Sequence, residues 1–159
     1  MKRKIVNVNE LSVTLHPTVQ LLVQNDTVSD HPVHSISAIY EHAIQTLIEQ
    51  LSLPVAEDPD NINSYFLLKP FPVLAMLNHH AVANRLKIQI LIYEPSEAEH
   101  IINTLIYEHS ALTYFSASED WRNLHSRWQQ AKVMQLKRPK LNDLAELANR
   151  IPSSLRSGK

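Results

Sequence analysis

The residue types best placed for chemistry lie toward the C-terminal end, where Lys132, Lys137, Arg138, Lys140, Arg150 and Arg156 recur with few acids among them. Ammonium and guanidinium groups in such a run suit contacts to phosphate oxygens, and DNA is the partner they imply. Trp121 and Trp128 stand just upstream and could stack on bases. Their spacing also puts both on the stripe of one helix with Leu124 and Ala131, which fits core or dimer packing.

Two other sets of side chains invite a chemical reading. His31 and His34 are spaced for a metal and His79 and His80 are adjacent, but a useful site needs a third convergent ligand, and no HExxH pattern supplies one. Glu57, Asp58 and Asp60, or Glu94, Glu97 and Glu99, could hold the two metals of a nuclease. For the second set a strand end followed by a helix N-terminus is the simpler account, because carboxylates complement the helix dipole there.

What the chain lacks narrows the chemistry further. It has no cysteine, so thiolate metal sites, disulfides and cysteine nucleophiles are excluded. Its single glycine, Gly158, leaves no Gly-rich phosphate loop of P-loop or Rossmann type. No apolar run reaches the length of a membrane span, and the opening "MKRKIVNVNELSV" is not a signal peptide, so no membrane partner and a cytoplasmic location are expected.

Charge is strongly polarised. Residues 1–120 carry six Lys/Arg against fourteen Asp/Glu, and residues 121–159 carry nine against two. The basic part therefore either meets nucleic acid or folds back on the acidic body.

The elements that must position these groups follow from periodicity. Alternation predicts strands at Ile5–Val8, Tyr65–Leu68 and 88–92, with an extended piece through Leu21–Val23. Helical spacing runs from Ile36 to Leu51, with Ser35 or Ser37 as N-cap and Pro54 past the end, and a further helix fits Val73–Leu86. "VAEDPDNIN" reads as an acidic loop. Ser96 with Glu99, and Ser116 with Glu119, have capping-box spacing ahead of two more helices. Lys137–Lys140 reads as a basic linker before a last helical segment. The expected class is α/β (α+β), a small mixed sheet with packed helices over 1–115 and a basic helical segment over 116–159.

In this order, "IVNVNEL", "AIYEHAIQTLIEQLSLP" and "YFLL" followed by "IQILIYEPSEAEHIINTLIYEH" make residues 5–114 resemble the N-terminal domain of the ParB/sulfiredoxin-like superfamily, found in chromosome and plasmid partition proteins. The resemblance implies a DNA-associated scaffold of plasmid or mobile-element maintenance. Where that family carries a Gly-Glu-Arg-Arg or Gly-Cys-His-Arg box, this chain has Lys69-Pro70-Phe71-Pro72, which offers neither glycine approach nor an arginine fork. The turn is therefore read as structural, with no cofactor expected and catalysis not favoured. Ala145, Asn149 and Leu155 resemble the start of a helix-turn-helix whose second helix is reached for about one turn, so non-specific DNA binding is expected. The alternative is a protein-interaction module with an acidic body and a basic dimerisation helix, forming a homodimer or meeting a protein partner. A nuclease or nucleotide hydrolase is the third class.

Overall fold

The computed structural model describes residues 1–26, 41–78, 80–113 and 118–148. In chain order the elements are β1 (Lys2–Asn7), a 3-10 turn (Val8–Glu10), β2 (Ser12–Leu15), α1 (Pro17–Val23), α2 (Glu41–Glu49), β3 (Ser52–Glu57), β4 (Ser64–Leu67), α3 (Pro72–Asn78) and β5 (Lys87–Tyr93). There follow α4 (Pro95–Asn103), a π-helical turn (Thr104–Glu108), α5 (His109–Thr113), α6 (Ser118–Val133) and α7 (Leu141–Leu147). The class is mixed α+β. The chain divides into two units, Met1–His16 with Pro32–Ala98, and Pro17–His31 with Glu99–Lys159.

The first unit is a five-stranded sheet in the order β1-β5-β3-β4-β2. Its outer pairings are β1 antiparallel to β5 and β2 parallel to β4, while β3 lies parallel to β5 and antiparallel to β4. Register brings Leu53 beside Ile90 and Val55 between Ile92 and Leu67, so one face is a continuous apolar surface. Ile44 and Ile48 of α2 and Leu74 and Leu77 of α3 complete that core. Gln45 fastens α2 to the sheet through its side-chain amide: Nε2 donates to the Lys87 carbonyl at 3.2 Å and Oε1 accepts the Lys87 N–H at 3.0 Å.

The strands at 65–68 and 88–92 and the first strand fall on or beside β4, β5 and β1. Four expectations need correction. Leu21–Val23 is not extended but ends α1, because Pro17 opens the helix, where its missing N–H costs nothing, and Val19 and Leu22 share the buried face. Residues 55–57 are not loop but the end of the central strand β3. Pro54 is tolerated inside it because its carbonyl accepts the Leu68 N–H at 3.0 Å, which puts its own nitrogen on the β4 side, just beyond the last paired residue of that ladder.

The third correction concerns Val73–Leu86, where α3 ends at Asn78 and residues 81–85 form turns. The His80 ring nitrogen Nδ1 accepts the Val82 N–H at 3.3 Å, a donor that a continuing helix would give to the Asn78 carbonyl. Fourth, α4 opens on Glu94 and Glu97, which make one half of a capping box, and Ser96 with Glu99 lies inside the helix. The Glu97 carboxylate accepts the Glu94 N–H at 3.1 Å, and Pro95 takes the first helical position. Within α2, Ile44 and Ile48 are buried and Leu47 lies 58% exposed. The proposed caps Ser35 and Ser37 and the Ser116 box fall outside the described residues.

In the second unit α1 packs on α6, and α5 on α7. Leu22, Ile106, Ala111, Leu124, Ala131 and Leu144 are among its buried side chains. Tyr107 sits in the π-helical turn, fully buried, with its hydroxyl donating to the Arg127 carbonyl at 3.3 Å. Helix α6 closes with a Schellman motif. The Leu136 N–H reaches the Ala131 carbonyl at 2.9 Å, the Gln135 N–H reaches Lys132 at 3.3 Å, and Gln135 takes φ 56°.

Candidate functional site

The basic segment between α6 and α7 is held by an aromatic anchor. Trp128 donates its Nε1–H to the Pro139 carbonyl at 2.9 Å, and the Arg138 guanidinium lies over the Trp128 ring at 4.7 Å. Arg138 Nε is buried and has no hydrogen-bond acceptor among the described residues. Two residues of the segment thus spend their polar groups on tying an extended stretch of chain to a helix. Trp128 is half-buried and capped by Arg138, so its ring serves packing in this arrangement.

The expected phosphate-binding cations separate into groups. Lys132, in the last turn of α6, and Lys137 and Lys140, on either side of the Trp128 anchor, are exposed and hold no ion pair among the described residues. Lys140 occupies the N-cap of α7 and is exposed. Arg138 is engaged as described. Arg150 and Arg156 lie outside the described residues, as do Asn149 and Leu155, while Ala145 is buried in α7.

Arg127 has the same charge and a different role. It is 9% exposed, and its Nε donates to both carboxylate oxygens of Asp26, at 3.1 and 3.0 Å, while Nη2 reaches Oδ2. This charge is neutralised inside the unit and is not offered to a ligand.

Several of the described acidic residues take part in local structure. Asp58 accepts the Asp60 N–H and the Asn61 side-chain amide, both at 2.9 Å. The Asn61 bond, with the Asp60 bond second, holds its carboxyl below the usual range. Glu94 and Glu97 serve the start of α4 and lie 4.0 Å from Lys2 and 3.9 Å from the N-terminal amine. No group of three His, Asp or Glu side chains among the described residues could hold a metal ion. His31, His34 and His79 are outside them, and His80 is buried. The Lys69–Pro72 stretch bends the chain so that Phe71 packs on the core and Pro72 opens α3, with the Leu74 N–H on the Phe71 carbonyl at 3.0 Å.

Sequence patterning gave no notice of an open cleft of about 700 Å³ in the first unit, lined by residues that include Lys4, Glu10, Leu11, Asn63, Tyr65 and Lys87. They come from four separate stretches of chain, so no motif joins them. The Lys4 ammonium approaches the Tyr65 hydroxyl to 3.5 Å. Asn63 lines the cleft from a left-handed turn position, φ 64°, which Asn accepts more readily than most residues.

Compared with models of protein families, with curated proteins and with solved structures, the chain matches none. Among the described residues no helix is long and apolar enough to cross a membrane.

Proposed function

We propose that the chain associates with DNA by contacting phosphates through its basic C-terminal segment, as a scaffold rather than a catalyst. One observation carries this reading: Lys132 on the last turn of α6, and Lys137 and Lys140 on the stretch fixed to α6 by Trp128, are exposed and without ion pairs among the described residues. A fixed backbone lowers the ordering cost of presenting flexible lysines to a polyanion. The surplus of nine Lys/Arg over two acids in residues 121–159 supports the same partner, with Arg150 and Arg156 adding to it. DNA as the polyanion, and a role in plasmid or mobile-element maintenance, rest on the resemblance of residues 5–114 to the partition-protein domain.

Phosphate contacts of this kind carry no base information. Affinity should therefore be on the order of micromolar or weaker at physiological salt and nearly independent of sequence. In a fluorescence titration on duplex DNA, changing Lys132, Lys137 and Lys140 together to Ala should flatten the slope of log affinity against log salt by about 2.7, at about 0.9 per contact. An unchanged slope rejects the reading.

A second reading has its own observation. Val133 is 76% exposed on α6 and Leu147 41% exposed on α7, apolar groups that suit a protein partner or a second copy of the chain. Under it the triple variant leaves DNA binding unchanged, and Val133→Asp with Leu147→Asp lowers self-association in sedimentation equilibrium.

A further inference from the structure

We infer that the first unit binds a small molecule combining one carboxylate with an apolar body, held between Lys4 and Tyr65. Tyr65 is 7% exposed, and its hydroxyl oxygen faces the Lys4 ammonium at 3.5 Å. Lysine can only donate, so the phenol is the acceptor, and its own hydrogen goes to no acceptor among the described residues. Tyr65 lines the cleft, so its O–H can donate to a molecule held there. The Lys4 ammonium likewise has no carboxylate within ion-pair distance among the described residues. The phenol O–H and the remaining Lys4 ammonium hydrogens thus stand at the edge of the cleft, with no acceptor among the described residues other than the Tyr65 oxygen itself.

The rest of the lining selects the ligand. The cleft of about 700 Å³ falls within the size range of small-molecule sites. Its charged groups are Lys4, Lys87 and Glu10, a net of one positive charge, which suits a monoanion better than a phosphate dianion. Glu10 is already occupied, accepting from the Asn7 amide at 2.9 Å. Val6 and Leu11 give the wall an apolar stretch against which a hydrocarbon or aromatic body can lie. One carboxylate oxygen would take the Tyr65 hydrogen and the other the Lys4 ammonium, the charge-assisted pairing that is strongest in a partly enclosed site.

A structural role for the same lysine makes a different forecast. Lys4 pairs with Ile90 across the ladder, so it points to the core side of an edge strand, a placement that by itself discourages edge-to-edge association. In that case the cleft has no preference for anions.

Backbone-amide NMR on the full chain separates the two, with phenylacetate, phenylacetamide and inorganic phosphate as probes. Phenylacetate should shift the amides of Lys4, Asn63 and Tyr65 saturably below concentrations on the order of 10 mM. Phenylacetamide, phosphate, and phenylacetate with Lys4→Met or Tyr65→Phe should each bind at least about tenfold more weakly. Lys4 is exposed and Tyr65→Phe keeps the ring, so both variants retain the fold, and unchanged spectral dispersion verifies it. Absence of saturation with phenylacetate, equal binding of the amide, tighter binding of phosphate, or undiminished binding by either variant overturns the assignment.

Discussion

Arg127 and Asp26 stand 101 residues apart in sequence and share a two-pronged ion pair in which both side chains are nearly buried. The pair joins α6 to the residues just after α1. Removing one partner leaves a charge in a place with little water, and the cost of that exceeds the value of the intact pair.

Arg127→Ala or Asp26→Asn should therefore lower stability by about 3–5 kcal/mol in urea unfolding. The double replacement Arg127→Met with Asp26→Leu should cost markedly less than either single change, since no buried charge remains. Equal losses in all three variants would mean that shape and not charge governs the site.

Tyr107 sets an alkaline limit. Burial raises its phenol, against the pull of the Arg127 and Arg138 charges, and the net result is a value pushed up to about 12. Because the folded value lies above the unfolded one of about 10, the stabilisation is complete below pH about 10 and is lost as pH rises toward 12. Melting temperature should fall over that window, and phenolate absorbance should include a late component that Tyr107→Phe abolishes. Tyr107→Phe should remove that limb at a cost of about 1 kcal/mol for the bond to the Arg127 carbonyl.

Gln135 occupies a left-handed position that glycine fills without steric cost. Gln135→Gly should raise stability by roughly 0.5–1 kcal/mol in thermal unfolding, offset in part by added freedom of the unfolded chain. Gln135→Val should lower it, since a β-branched residue is poorly accommodated at positive φ.

The legible parts of the fold were those in which one period dominates a long stretch. Ile88, Ile90 and Ile92 alternate with residues of the opposite face, and β5 lies where that pattern puts it. Strand β3 was illegible because four consecutive residues, Leu53 to Ala56, are buried on both faces and one of them is a proline, which reads as a helix stop. Its tolerance depends on which neighbouring strand Pro54 turns its nitrogen toward, a property of the assembled sheet. The basic run was visible as composition, yet nothing in the spacing said that Arg127 would be spent on Asp26 or that Arg138 would lie on Trp128. The Lys4 and Tyr65 cleft is a product of topology alone, since 61 residues separate its two donors.

Among the described residues strand β1 pairs only with β5, Lys2 standing opposite Ile92 and Asn7 opposite Lys87. During synthesis the earliest strand of this sheet therefore waits for its latest. Until about residue 93 has emerged, both of its hydrogen-bonding rows are unsatisfied, and the side chains of Val6 and Val8 lack the sheet they cover. Such long-range closure makes assembly slow and leaves the nascent chain prone to mispairing. The cluster Lys2-Arg3-Lys4 keeps that waiting strand hydrated and mutually repelling between copies, so its charge protects the unfinished protein before it has any part in the finished one.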